Sequence, residues 1–574
     1  MISRANAIAQ SAALGPRPGA KPFFVELIKP SRYDDDGYVV QWWRSWIPSN
    51  TLACLYGLTL DAAATGAIGE GVQIVPHAYD ETNTLIPVRK IIRRIRRGGG
   101  RGVVCLVGVQ SNQFPRAVDI ARPFRRAGIP VVIGGFHVSG CLAMLPEMPA
   151  DLKETMEMGI TLFAGEAEGR LEDLLADAYH GRLKPLYNFL GELPDLTGRP
   201  MPYLPPRVLS RCAGGVATFE TGRGCPFNCK FCTIINVQGR KVRSRSPDDV
   251  EHLVRAYHDQ GIDRIFITDD NFARNPNWEA ILDRLIDLRE RDGIKLKFLI
   301  QVDAQVDRIP RFIDKAARAG CRWVFVGIES VNPENLAAAN KRQNHVEDYR
   351  RMLQAWHDVR VLTQAGYILG FPADTPQSIR KDIETLKREL PLDMVKFACL
   401  VPLPGSQDHL DNTLNGVWMD PDMNKYTGER VVTNHPRMSA EQWQQAYEQS
   451  WEQFYTFKHI EEMLRRGEAG GPNSNRLLTQ FARERLSFVY ERIQPLEGGY
   501  LRRKVRTRRR PGVPVESPLT FYPRRAWQML SAYAGAAVCT YRMIRLRKKV
   551  KRESARAARQ SHARLRAVPP TGRT

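Results

Sequence analysis

Three cysteines fall within eight residues of the stretch "TGRGCPFNCKFCTII": Cys225, Cys229 and Cys232. Thiolates at this C-x3-C-x2-C spacing can converge on one inorganic centre from a single short loop. A structural zinc ion takes four protein ligands. The nearest candidates for a fourth are Cys212 and His252, and neither sits at a standard offset. A 4Fe–4S cluster takes one thiolate per iron. Three thiolates leave one iron open, which is useful only where something else is meant to bind it.

The elements that must position this loop are legible as two alternating series. Over residues 22–190, "FFVELI", "VQIVP", "GVVCLVGV", "IPVVIGG" and "GITLFAGEAEG" read as strands. Helical patterns lie between them, around 49–66, 85–97 and 114–127, and in "RLEDLLADAYHG". Continuous apolar strands separated by helices predict a parallel sheet covered on both faces. Five such units predict a doubly wound, Rossmann-like α/β domain whose ligand lies beyond the carboxyl ends of the strands. Residues 191–210, rich in Pro and Gly, read as a linker. Over 211–438, "GVATFETG", "RIFITDD", "KLKFLIQVD", "RWVFVGIES", "LTQAGYILGFP" and "MVKFACLVP" predict six strand–helix repeats, a partial (β/α)6 barrel. Barrel chemistry sits at the C-terminal ends of strands, and the cysteines follow the first. Residues 439–500 read as helical, and a basic tail occupies 501–574.

"CPFNCKFC", with aromatic Phe231 before the last cysteine, resembles the motif of the radical S-adenosylmethionine (SAM) superfamily. "TDDNFARN", "GCRWVFVGIES", "AGYILGFPADT" and "LVPLPGS" are similar to the successive strand-end segments of that family. The preceding domain, with "VVIGGFHVSG" and "FAGEAEG", resembles the cobalamin-binding domain of the cobalamin-dependent branch. The resemblance implies that Cys225, Cys229 and Cys232 hold a 4Fe–4S cluster and that SAM chelates the fourth iron. It implies that Asp269 and Asp270 meet the SAM ammonium and Glu329 its ribose. Gly366, Ile368 and Gly370 would lie along the adenine, although Ala373 stands where some relatives place an acid. Asp269 and Asp270 read equally well as a helix cap or turn, and Glu329 as a structural residue. Gly134 and Gly135 would let a corrin or nucleotide tail approach the backbone. The strand end "VGVQSNQFPRA" carries no histidine for cobalt, and His137 is the one imidazole nearby.

The reaction so implied is reductive SAM cleavage followed by methylation of an unactivated carbon on a small-molecule or lipid-like substrate, with flavodoxin or ferredoxin as electron donor. Cyclisation or rearrangement uses the same parts. Methylthiolation of tRNA or protein needs a second cluster, for which Cys54, Cys105 and Cys141 are too widely spaced. A zinc or Fe–S structural protein with a nucleic-acid- or membrane-binding tail is the non-enzymatic alternative.

Net charge concentrates at one end. Of a total of +22, residues 501–574 supply +19 (21 Lys and Arg against Glu516 and Glu553), so the first 500 residues carry about +3. Charge runs of this kind are usually solvated. "AWQMLSAYAGAAVCTY" (526–541) is too short to span a bilayer but suited to the headgroup region of an anionic membrane, with nucleic-acid contact the weaker reading. With no recognisable signal peptide or spanning segment, the sequence predicts a cytoplasmic protein, peripheral on the inner membrane face. The seven scattered cysteines read as small buried hydrophobes.

Overall fold

The computed structural model describes residues 19–566. Its first layer contains β1 (Lys21–Lys29), β2 (Trp42–Ser45), β3 (Val72–Asp80), β4 (Gly102–Leu106), β5 (Val131–Gly134), β6 (Thr161–Ala164) and β7 (Leu186–Asn188). All but β2 form one parallel sheet in the order β3-β1-β4-β5-β6-β7. Side-chain alternation explains why both faces are covered. Phe23, Val25 and Leu27 enter one hydrophobic cluster, and Phe24 and Ile28 enter another on the opposite face. The sheet has six strands rather than the five expected, because β7 adds three residues at the edge. So short a run gives too few alternations to read as a strand.

The second sheet is built from β8 (Val216–Phe219), then, after a small hairpin of β9 (Gly222–Arg223) and β10 (Arg243–Ser244), from β11 (Arg264–Ile267), β12 (Lys297–Asp303), β13 (Cys321–Glu329), β14 (Leu362–Leu369) and β15 (Met394–Cys399). Its six strands run parallel in chain order, β8-β11-β12-β13-β14-β15. Among the described residues β8 and β15 do not pair with each other, so the barrel is open on one side. Helices such as Pro247–Asp259 and Pro376–Arg388 cover the outside. Both start at capping boxes, in which the hydroxyls of Ser246 and Thr375 accept from the backbone N–H three residues on.

Helices Ala440–Phe454, Phe457–Glu468 and Ser474–Arg485 follow. The basic run starting at Leu501 then divides in two. Its first part is a strap: β16 (Gly499–Arg502) pairs antiparallel with β2. Its charges are spent inside the molecule, Arg502 on Asp34 at 2.7 Å, Lys504 on Asp36 at 2.8 Å and Arg510 on Asp422 at 2.6 Å. The second part is the long helix Pro518–Arg566. Sequence alone did not distinguish these, because the acids that neutralise the strap lie 88 residues (Asp422) to 468 residues (Asp34, Asp36) earlier. All seven scattered cysteines are buried. No helix among the described residues is long and apolar enough to cross a membrane.

Candidate active site

The cysteine loop begins where β8 runs out. Gly224 turns the chain at φ +94, and a Cβ there would lie 2.9 Å from the carbonyls of Gly239 and Lys241. The loop is held from within by Cys225 N–H donating to Gly239 O at 3.2 Å and Cys232 N–H to Cys229 O at 3.1 Å. It is held from outside by the segment after β13. Lys230 N–H donates to Ala339 O at 3.0 Å, and Asn340 Nδ2 donates to Asn228 O at 2.8 Å. Gln343 Nε2 lies 3.6 Å from Cys229 Sγ and donates to it. Cys229 is buried, while Cys225 and Cys232 are half-buried. Burial raises the Cys225 thiol and pushes Cys232 up to about 12. Among the described residues no three His, Cys, Asp or Glu side chains are grouped to hold a single ion. The donor set on this loop is three thiols, one short of the four protein ligands of a structural zinc site and suited to a cluster that leaves one iron open.

Strand parity separates the two neighbouring aspartates. Along β11 and beyond it, Phe266, Thr268 and Asp270 are half-buried, and Ile265, Ile267 and Asp269 are buried. Asp269 accepts from the Thr221 N–H and hydroxyl, both at 2.6 Å, and from Asn275 Nδ2 at 3.1 Å. Its oxygens tie β11 to the root of the cysteine loop. Asp270 accepts from Gly224 N–H at 3.1 Å, and burial lifts its carboxyl to about 7. A half-buried carboxyl with so little compensation fits a cationic ligand beside the cysteines.

Glu329 closes β13 at φ +63, a left-handed conformation that costs a non-glycine residue energy and tends to mark functional sites. A register shift between β13 and β14 accompanies it. Its carboxylate pairs with the buried Lys341 ammonium at 2.6 Å. Burial alone would depress Lys341, but Glu329 first and Cys229 next hold it above its ordinary value. Lys341 also lies 5.6 Å from the Phe231 ring centroid, and Phe231 meets Phe371 edge-on at 6.2 Å. Lys341 and Gln343 escaped the sequence reading, since "NKRQN" carries no spacing that points to a cysteine loop a hundred residues away.

Gly366, Ile368 and Gly370 share the parity of the β14 end, yet two of the three have reasons within the chain. A Cβ on Gly366 would meet Phe325 Cζ at 2.8 Å, and one on Gly370, at φ +102, would lie 1.9 Å from Trp443 Cζ2. Trp443 Nε1 donates to Leu369 O at 3.0 Å, so Gly370 is the seat of helix Ala440–Phe454. Ile368 is half-buried. Where Ala373 offers no acid, the next residue does: buried Asp374 accepts from the N–H groups of Gly370 at 2.8 Å and Phe371 at 3.0 Å.

The first domain presents its strand ends to this loop. Gly135, at φ +147, allows the backbone to pass Val109: an added Cβ would lie 2.2 Å from Val109 N. Gly134 is held close to Phe163, whose carbonyl would be 3.2 Å from a Cβ. These contacts account for both glycines without a ligand. His137 is engaged at both nitrogens, by Asp151 at 2.9 Å and Ser111 at 3.2 Å, and is packed on Phe114, so it is not free to ligate cobalt. Beyond it, Gly140 touches the barrel: a Cβ would lie 2.2 Å from Pro404 O. Two buried polar atoms, Asn112 Oδ1 and His409 Nδ1, have no partner among the described residues. Asn112 follows β4 and His409 follows β15, and such orphaned atoms fit a polar group bound between the domains.

A buried charge network locks the domains together. Arg223, in the last turn before the cysteines, donates to Glu166 at 2.7 Å, Glu168 at 2.6 Å and Glu220 at 2.9 Å. Glu166 also binds Arg243 at 2.5 Å, and Glu220 binds Arg245 at 3.2 Å. Burial would raise Glu220, but Arg223 and Arg245 bring it down to about 2. Thus "GEAEG" acts as a latch whose acids grip the root of the cysteine loop.

Residues 219–386 match the family model of the radical SAM superfamily. The barrel is a radical SAM domain. The chain is 26% identical over 372 residues to bacteriochlorophyllide d C-8(2)-methyltransferase of Chlorobaculum tepidum, covering 62% of this chain and 78% of that one. It is 24% identical over 263 residues to hopanoid C-2 methylase of Rhodopseudomonas palustris, covering 45% of this chain and 48% of the relative. Its fold is shared by the methyltransferase TsrM of Kitasatospora setae, solved with cobalamin and a [4Fe-4S] cluster bound. That match has a TM-score of 0.54 and 18% identity, over 76% of this chain and 89% of TsrM.

Proposed function

We propose that this enzyme cleaves SAM reductively at a 4Fe–4S cluster held by Cys225, Cys229 and Cys232, and methylates an unactivated carbon of a small-molecule or lipid-like substrate with the help of cobalamin. When bound, the cluster supplies the electron that breaks the sulfonium C–S bond and cobalamin supplies the methyl group. The protein's own work is positional. Asp270 receives the SAM ammonium and Glu329, steadied by Lys341, faces the ribose. Asp269 has the supporting task of fixing Thr221. Ile368 borders the adenine, with Gly366 and Gly370 on the same strand end packed against Phe325 and Trp443. Cobalamin would be held between the strand ends of the first sheet and the barrel mouth, where His137 is already engaged by Asp151 and Ser111. Gly134 and Gly135 shape that edge through the chain's own close packing.

The carrying observation is the three-thiol loop, closed by Gln343 and Lys341 and flanked by an under-compensated Asp270. The named methylases support carbon methylation, and a hopanoid among their substrates supports a lipid-like one. A flavodoxin or ferredoxin donates the electron, and the enzyme works in the cytoplasm in peripheral contact with a membrane. The test is anaerobic reconstitution with SAM, with and without cobalamin, against candidate substrates. The proposal expects 5′-deoxyadenosine and a cobalamin-dependent methylated product. 5′-Deoxyadenosine without any methylated product would move the assignment to cyclisation or rearrangement.

A further inference from the structure

Helix Pro518–Arg566 has two faces of different character. One is docked: Phe521, Cys539, Met543 and Val550 are buried. Arg542 stacks over Phe457 at 4.1 Å, Lys549 binds Glu461 at 2.8 Å and Glu553 binds Arg465 at 2.6 Å. This brace fixes the rotation of the helix about its axis. At about 100° per residue, Trp527, Leu530, Ala534, Val538 and Tyr541 then share the opposite face.

That face is bare. Trp527 is 72% exposed, Leu530 67%, Val538 59% and Tyr541 60%, and Leu519 at the near end is 85% exposed. The apolar stripe runs about 21 Å along the helix. Continued along the same face it turns cationic, through the exposed Arg545, Lys548 and Arg552. On its flank Arg542 is taken up by Phe457 and Arg524 by Glu516. The helix carries 13 Lys and Arg against one acid, Glu553, and that acid is engaged by Arg465.

We propose that this outward face is a membrane-docking surface for bilayers rich in anionic lipid, with Trp527, Leu530, Val538 and Tyr541 entering the headgroup boundary and Arg545, Lys548 and Arg552 meeting lipid phosphates. Charge complementarity selects this occupant. A second copy packed in parallel would bring cation against cation, and one packed antiparallel would leave Arg545, Lys548 and Arg552 with no free acid on the face to meet. A nucleic acid would satisfy the cations but has little use for the aliphatic Leu519, Leu530 and Val538. Trp and Tyr beside Arg and Lys are what an interfacial helix needs. The surface extends the peripheral-contact reading above and does not depend on methyl transfer. It places the barrel at a membrane, where a lipid-like substrate would be met.

The test is co-flotation of the full-length reconstituted enzyme with phosphatidylcholine vesicles, with and without phosphatidylglycerol, at low and high salt. The expected result is binding to the anionic vesicles, weakened by salt. Two variants, W527E/L530E and R545E/K548E, each lose at least about tenfold in affinity. These side chains are exposed and make no packing that the fold needs, so 5′-deoxyadenosine formation measured on the same samples stays unchanged. Failure of SAM cleavage with vesicle binding intact would count against the reaction and leave the surface standing. The docking proposal is overturned if anionic vesicles do not bind, or if the W527E/L530E variant binds them as wild type does. It is equally overturned if the stripe instead drives self-association or duplex DNA binding that the same variants abolish.

Discussion

Replacing Arg223 with Ala removes the hub of the buried latch, and the structure says which acid suffers. Glu166 retains Arg243 and Glu220 retains Arg245, but Glu168 is left without a cation. Removing one partner of a buried ion pair typically costs about 3–5 kcal/mol, because the remaining charge is stranded. The loss should appear as a lower urea midpoint and as faster proteolysis in 191–210, the segment joining the two sheets. Glu168→Gln in the wild-type background also destabilises, since it strips Arg223 of one of three acids. In the Arg223→Ala background the same change should cost almost nothing or restore stability, because it removes the stranded charge. The pH dependence has a definite sign. Burial would raise Glu168, but Arg223 holds it below its ordinary value. Its contribution is therefore complete above the unfolded carboxyl range and is lost as pH falls through the depressed folded value. If Arg223→Ala costs less than about 1 kcal/mol, or if Glu168→Gln costs the same in both backgrounds, the latch is not the joint described here.

Cys225→Ala, Cys229→Ala and Cys232→Ala should each abolish 5′-deoxyadenosine formation and lower iron content on reconstitution, with circular dichroism unchanged. Asp270, lifted by burial to about 7, must be ionised to hold an ammonium group. SAM affinity should therefore strengthen as pH rises through that value, and Asp270→Asn should flatten the profile, as equilibrium binding would reveal. Gly370→Ala places a methyl group 1.9 Å from Trp443 Cζ2 at a left-handed φ, so it should destabilise by about 2–4 kcal/mol. Chemical denaturation of the double variant with Trp443→Ala should show part of that cost recovered. Glu329→Gln should weaken SAM binding and leave Lys341 buried without its counter-charge, with a loss of about 3 kcal/mol in stability.

The six barrel strands were legible because each is a run of apolar and β-branched residues closed by a turn, and the cysteine loop because three thiols in eight residues have few other uses. The Rossmann-like sheet was legible for the same reason, apart from the three-residue β7. Long-range pairing was not. Nothing in "NKRQN" says that Lys341 and Gln343 close over the cysteines, and nothing in "GEAEG" says that its acids grip Arg223. The tail shows the limit most clearly. Composition marked one basic segment, but whether an arginine is free or spent depends on acids distant in sequence. Asp34, Asp36 and Asp422 claim the strap, while the cations beyond Arg542 mostly face outward. The glycines teach a related lesson. Gly135 and Gly370 need their freedom of conformation, and the neighbours that demand it are Val109 and Trp443.

The central claim is that the three cysteines leave one iron for SAM. The most direct measurement is the electron paramagnetic resonance spectrum of the reconstituted, reduced protein, recorded before and after SAM is added. Four irons per chain and a spectrum that changes on adding SAM are predicted. A spectrum indifferent to SAM, or a sample that retains zinc alone, would contradict the account.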